Sequence, residues 1–303
     1  MLRCLPQAWT WEQRRARAAD LARRRPEARE LLEFYRELAA TQAVLARRAK
    51  PPGDLLRCHR EARGEIPPGL PVGRFWVILR AVASSGPRVL AQAAEGLLEA
   101  EAPGQQELLR RFFRGSRPVP WGASVREPQA TDPEMLLARL FVQPYAELDA
   151  GAVCAGGGFA GTDGAREVAP KGDPDEAVPW SQQPGVWCPL CASAAQVGYL
   201  VDRDGEQGGL FLQCGLCGAS WRGLRLVCPC CGAAGERLSY FQAEGLPHLS
   251  LGACEGCGYY LKVVDLRKDG LAVPCVEDLA SVSLDLWAAE QGLRRPYIGL
   301  AGF

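Results

Sequence analysis

Eight cysteines in four Cys-x-x-Cys pairs constrain this chain more than any other feature. They stand at 188/191, 214/217, 228/231 and 254/257. Twenty-two residues separate the first pair from the second, and 22 separate the third from the fourth. Each cysteine of the first set therefore recurs 40 positions later in the second, which marks an internal duplication. Two thiolates two residues apart grip one face of a tetrahedral ion, and a 22-residue gap is long enough for a hairpin to return the second pair to the first. The expectation is two S₄ sites, Cys188, Cys191, Cys214 and Cys217 in one and Cys228, Cys231, Cys254 and Cys257 in the other, each holding one zinc or one rubredoxin-type iron. Spacing does not separate the two metals. Each ribbon of about 40 residues has too little apolar surface to fold alone, and a bound ion supplies on the order of 10 kcal/mol. A structural staple is the plainest role for both ions; electron transfer through iron is the sharper one.

Glycine follows the last cysteine of three pairs, at Gly218, Gly232 and Gly258, where a knuckle turn favours a left-handed backbone. Ala192 takes that place in the first pair, at an expected cost of roughly 1 kcal/mol. The five other cysteines, at 4, 58, 154, 230 and 275, read as small buried residues. Cys230, inside Cys228-Pro-Cys-Cys231, is placed either to swap as a ligand or to stand exposed as a reactive thiol. Of the two histidines, His59 and His248, the second falls within the second ribbon and is expected at the surface.

The rest of the chain divides by composition. Residues 8–50 carry apolar residues at helical spacing among Arg and Glu, with Pro26 starting a new helix, and further helices are expected over 54–63, 73–84, 87–100, 104–114 and 131–149. Residues 1–150 thus read as an all-helical domain. Residues 151–185 hold eight Gly and four Pro, the composition of a linker. Strands are expected at 197–201, 209–213, 238–242 and 260–265, within ribbons spanning 186–225 and 226–270. Residues 271–303 are read as a closing helix and tail: the helix runs from Val276 to Gln291, buries Leu279, Val282, Leu286 and Trp287, and stops at Gly292. The fold class is α+β: a helical domain, two tandem rubredoxin-like or zinc-ribbon modules, and a C-terminal helix.

Thirteen cysteines in 303 residues, with no apolar core of a secretory signal at the N-terminus, point to a reducing compartment, the cytoplasm. No run of about 18 uncharged apolar residues is present, so membrane insertion is not expected. Net charge is zero, but residues 1–120 carry 22 basic and 13 acidic side chains and the remainder 13 and 22; the plain reading is two ordinary surfaces of different composition, the sharper one a basic N-terminal face that meets an acidic partner or phosphates. Residues 186–275 hold seven basic and eight acidic side chains, too balanced for the phosphate contacts that dominate nucleic-acid affinity. With two histidines and no phosphate-cradling loop, no catalytic constellation assembles, and an enzyme is not expected.

Residues 187–295 resemble the FdhE family of formate dehydrogenase accessory proteins. The resemblance lies in Cys188-Pro-Leu-Cys191, Leu212-Gln-Cys214-Gly-Leu-Cys217 with Trp221, and Cys228-Pro-Cys-Cys231-Gly232. It continues through Cys254-Glu-Gly-Cys257-Gly-Tyr-Tyr-Leu-Lys262 and the tail from Asp278-Leu-Ala-Ser281 through Asp285 to Gly292. It implies a cytoplasmic factor acting on the catalytic subunit of formate dehydrogenase, with paired rubredoxin-type domains in which iron is the suggested metal and the eight knuckle cysteines are the ligands. Ala192 and the additional Cys230 depart from the pattern. A nucleic-acid-binding or regulatory zinc ribbon and a rubredoxin-type electron carrier are the alternatives. Trp221, Arg222, Tyr259, Tyr260 and Lys262 adjoin the knuckles, and their role is either client contact or packing. Asp278 and Asp285, seven apart, are expected to share a solvated acidic helix face or to meet a partner or an N-terminal Arg.

Overall fold

The computed structural model describes residues 9–100, 102–115, 132–155, 185–203, 205–242 and 245–302. The first element shows how local chemistry sets a boundary. Thr10 caps helix α1 (Trp11–Arg24) in a reciprocal capping box with Gln13, whose amide nitrogen donates to the Thr10 hydroxyl at 3.2 Å. A 3₁₀ turn at Pro26–Ala28 separates it from α2 (Arg29–Arg47), as the proline dictates. Then come α3 (Leu55–Glu61), α4 (Phe75–Ser85), α5 (Arg88–Glu99), α6 (Ala102–Arg114) and α7 (Pro133–Ala155). Helix α7 runs into the stretch read as linker and carries Cys154 on its last turn; residues 156–184 of that stretch lie outside the described residues, as does Cys4.

The helices pack around α7, with Phe75, Phe141, Tyr145, Ile78 and Phe113 fully buried. Two tertiary polar contacts pin them. Buried Asp149 of α7 accepts the amide protons of Gly53 and Leu56 at 2.6 and 3.2 Å, serving as a cap for α3. Arg14 of α1 makes a two-pronged contact to Glu147 of α7 at 2.8 and 3.0 Å.

The ribbons do not form separate modules. Strands β1 (Ala195–Arg203), β2 (Glu206–Cys214) and β3 (Ser220–Arg222) come from the first, and β4 (Leu238–Gln242), β5 (Leu249–Cys254) and β6 (Tyr260–Asp265) from the second. All six lie in one sheet of order β3-β2-β1-β6-β5-β4. Within each ribbon neighbouring strands are antiparallel, and the two ribbons join through parallel pairing of β1 with β6, Gly198 opposite Val263 and Leu200 opposite Asp265. The sequence signal missed β3 and β5, because β3 is three residues long and β5 (Leu-Ser-Leu-Gly-Ala-Cys) has small polar residues on one face. The first ribbon also shares a core with the helices: Leu190, Cys191, Leu212, Leu216 and Trp221 pack in the same cluster as Phe112, Phe113 and Phe141.

The expected closing helix is two helices, α8 (Pro274–Ala280) and α9 (Val282–Glu290), broken at Ser281. The Ser281 hydroxyl turns back onto the carbonyls of Glu277 and Asp278 at 2.8 and 3.1 Å, and the Lys262 ammonium reaches it at 3.2 Å. The break rotates Leu286 out of the expected stripe to 50% exposure, while Leu279 and Leu284 stay buried. Gly292, at φ 71°, ends α9.

The break also decides the fate of Asp278 and Asp285. Neither is on a solvated face; both are about 1% exposed, beneath the sheet. Lys262 of β6, wholly buried, pairs with Asp278 at 2.8 Å and Asp285 at 2.6 Å. Arg295 closes the set from the tail, at 2.8 Å from Asp278 and 3.3 Å from Asp285. Two cations and two carboxylates balance. Tyr260 donates to Asp285 and Gln196 to Asp278, so the remaining oxygen valences are filled. Burial opposes charge on Asp278, but Arg295 and then Lys262 overcome it and hold its carboxyl below the usual range. Such a group stabilises the fold above the unfolded carboxylate pKa of about 3.9, and that stability is lost as pH falls through the lower folded value.

Removing one member strands a buried charge. Lys262→Met is therefore expected to lower the unfolding free energy by about 3–5 kcal/mol, read as a lower denaturant midpoint at unchanged slope. Asp278→Asn should cost stability near pH 7 and make the midpoint less sensitive to pH below about 4, the unfolded carboxylate value.

Candidate metal centres

Each quartet of sulfurs is built by two tight turns facing one another. In the first, Cys188 and Cys191 sit on the turn entering β1, and Cys214 and Cys217 on the turn between β2 and β3. In the second, Cys228 and Cys231 precede β4, and Cys254 and Cys257 link β5 to β6. The turns close in the same way: the amides of Ala192, Gly232 and Gly258 donate to the carbonyls of Cys188, Cys228 and Cys254 at 2.8–2.9 Å. The residue after each pair is left-handed, with φ 67° at Gly218, 77° at Gly232 and 71° at Gly258. Ala192 adopts φ 63° without the freedom of glycine.

The sulfurs converge as two quartets. In each, one Sγ per residue lies within 4.8 Å of the others. The pairs that bridge the two turns stand at 3.6 Å (Cys188–Cys217) and 3.4 Å (Cys191–Cys214) in the first, and 3.7 Å (Cys228–Cys257) and 3.6 Å (Cys231–Cys254) in the second. A metal–sulfur bond of about 2.3 Å in a regular tetrahedron requires sulfurs about 3.8 Å apart. The quartets therefore fit one tetrahedral ion each, zinc or iron. The amides of Leu216 and Cys217 lie 3.3 and 3.4 Å from the Cys214 sulfur and would share its negative charge.

The two sites differ in surroundings. All four cysteines of the first are buried, whereas Cys231 and Cys257 of the second are partly exposed. Burial pushes the Cys188 and Cys217 thiols well above their ordinary range, so a cation is what makes four thiolates tolerable there. Cys230 lies outside both quartets. It is 6% exposed, so it is not the surface thiol that one reading expected.

Three residues that spacing did not single out support these turns. His59 of α3, fully buried, donates from Nδ1 to the Cys191 carbonyl at 2.6 Å, and burial lowers its pKa, which keeps the ring neutral and its proton on that nitrogen. Tyr297 of the tail donates to the Gly215 carbonyl at 3.1 Å and lies so close that a Cβ at Gly215 would stand 1.8 Å from its ring. Arg139 of α7 covers the other side of that ring at 4.3 Å. The first quartet is thus held by the helical region and the tail together, His59 at its first turn and Tyr297 at its second. The only signal in the sequence was a glycine inside Cys214-Gly-Leu-Cys217.

The residues beside the knuckles serve packing. Trp221 is fully buried and donates to the Gly185 carbonyl at 3.0 Å, Tyr259 is buried in the core, and Tyr260 and Lys262 belong to the ion network. Arg222 is half-exposed and pairs with Glu206. His248, expected at the surface, is largely buried and meets Glu277 at 3.0 Å, where Arg17 of α1 also contacts Glu277 and Asp269 at 2.6 Å. An N-terminal Arg does reach α8, but through Glu277 rather than Asp278.

The fold and the paired cysteine quartets define a helical protein carrying a double ribbon with two candidate S₄ metal sites. Residues 187–225 match the central domain of FdhE and residues 226–300 its C-terminal domain. Together the two matches cover residues 187–300, a little over a third of the chain. A protein FdhE homolog of Aquifex aeolicus is 45% identical over 107 residues, 35% of this chain and 38% of the relative. One of Pseudomonas putida is 34% identical over 114 residues, 36% of each. The matched segment thus spans little more than a third of these curated relatives. The crystal structure of the FdhE protein from Pseudomonas aeruginosa superposes with a TM-score of 0.58 at 23% identity, covering 94% of this chain and 92% of that one, so the fold is shared over nearly the whole length.

Two outcomes are expected. A chelator should strip the second, more open site before the first, seen as two phases when metal release is followed with a chromogenic dye. Ala192→Gly should leave metal content unchanged and stabilise the protein by up to about 1 kcal/mol, measured by chemical denaturation.

Proposed function

We propose that this chain is an accessory factor for the maturation of formate dehydrogenase, binding the enzyme's catalytic subunit in the cytoplasm and performing no turnover of its own. The observation that carries this reading is the match of residues 187–300 to the two FdhE domains, with all eight cysteines in two quartets. We assign Cys188, Cys191, Cys214 and Cys217 to one ion and Cys228, Cys231, Cys254 and Cys257 to the other. Iron bound there would exchange a single electron, whereas zinc would act as a staple only.

Physical features support client binding. The ribbon sheet is fixed to the helices by the shared core, by His59 and Tyr297, and by the Arg17–Glu277 contact, so it presents a preformed surface rather than one ordered on binding. Arg23 and Arg24 are well exposed at the end of α1, where they share the single carboxylate of Asp20, which leaves an excess of positive charge for an acidic client. Among the described residues no helix is long and apolar enough to cross a membrane.

A second reading, electron transfer, is favoured by one observation: the partial exposure of Cys231 and Cys257 brings the second ion close to solvent. Affinity capture with a tagged copy should recover the formate dehydrogenase catalytic subunit; recovery of nucleic acid alone would overturn the proposal. Material purified without oxygen should show the visible charge-transfer bands of ferric S₄ centres if iron is the native metal. A colourless protein with two zinc ions would exclude electron transfer and leave client binding intact.

A further inference from the structure

Strand β3 forms one edge of the sheet and β4 the other, so the connection between them, residues 223–237, has to cross a sheet face. It crosses the face opposite the ion network, as a strap anchored at one end by Cys228 and Cys231. Leu226 sits in the strap at φ 58°, a strained conformation for a branched side chain, and is 62% exposed. Tyr240 of β4 lines the space beneath the strap alongside it. Beneath the strap the sheet offers Ser250 and Gly252 where its neighbours offer leucine and valine, and the shortfall leaves a cavity of about 270 Å³. Leu200, Leu210, Leu238, Leu261 and Val263 make the apolar walls. Of the residues that line it, Arg225 is the one cationic side chain; no carboxylate lies within ion-pair distance of it among the described residues, and Glu206 is the acidic group that feels its charge. Neighbouring Arg222 and Arg267 are paired, with Glu206 and Asp265.

We infer that this cavity is a binding site for a small apolar anion, an aliphatic or aromatic carboxylate or sulfonate whose body lies between strap and sheet and whose charge meets Arg225. Its volume is at the lower end of the range for small-ligand pockets, roughly 300–1,000 Å³, and its chemistry is that of such pockets: apolar walls with one charged group that fixes orientation. The cavity borders the second quartet, whose Cys228 and Cys254 form part of its wall, and the inference does not depend on the client-binding reading.

The test uses the full-length, metal-loaded protein and the probe 1-anilinonaphthalene-8-sulfonate. Saturable binding of one equivalent is expected, with decanoate displacing the probe and decanol doing so at least about tenfold less well. Ser250→Leu fills the cavity and should weaken the probe by about tenfold or more, and Arg225→Gln should weaken it several-fold and remove its salt dependence. The thermal midpoint of each variant verifies folding. The inference falls if the wild-type protein shows no saturable binding, if both folded variants bind as the wild type does, or if decanol displaces as well as decanoate. It also falls if Ser250→Leu impairs capture of the catalytic subunit while no anion binds, since the cavity would then serve a protein contact.

Discussion

Four thiolates in a dry interior repel one another and forfeit their hydration, and only a cation at their centre makes the arrangement favourable. Much of this structure follows from satisfying that condition twice. The knuckle turns must be left-handed at the residue after each pair, the hairpins must return across the gap, and the sheet that results must be anchored. The first quartet is buried in a core shared with the helices, so an ion held there would stabilise the union of ribbon and helical region. The second is more open, with two of its cysteines partly exposed.

A second buried arrangement secures the other face. Lys262 and Arg295 share Asp278 and Asp285 under the sheet, and every partner comes from a different segment: β6, the tail, α8 and α9. Replacing such a cluster wholesale with apolar residues can be neutral, whereas breaking it is costly. Its contribution is therefore to position: it fixes where α8 ends, forces the break at Ser281, and sets the tail so that Tyr297 covers Gly215.

The eight cysteines, their grouping and the helical first half were legible because both depend on spacing along the chain: two residues within a knuckle, three or four within a helix. The strained position at Ala192 was legible for the same reason. What was not legible depends on long-range pairing. Asp278 and Asp285 look like a solvated stripe in isolation, and only the unpredicted arrival of Lys262 and Arg295 makes them interior residues. His59 looks like any helical histidine until the Cys191 carbonyl is placed beside it. The fusion of two ribbons into one sheet had no local signal at all, since β1 and β6 meet across about sixty residues of chain.

That junction has a consequence for how a doubled ribbon must be made. The first strand of one copy pairs side by side with the last strand of the other, so the contact is head-to-tail and uses two different edges. Separate copies joined in this way would leave the same pair of edges open at the ends of each assembly and would go on adding units without closure. Covalent duplication within a single polypeptide, with the outermost strand at one end cut to three residues, converts a contact prone to filament growth into a particle of fixed size.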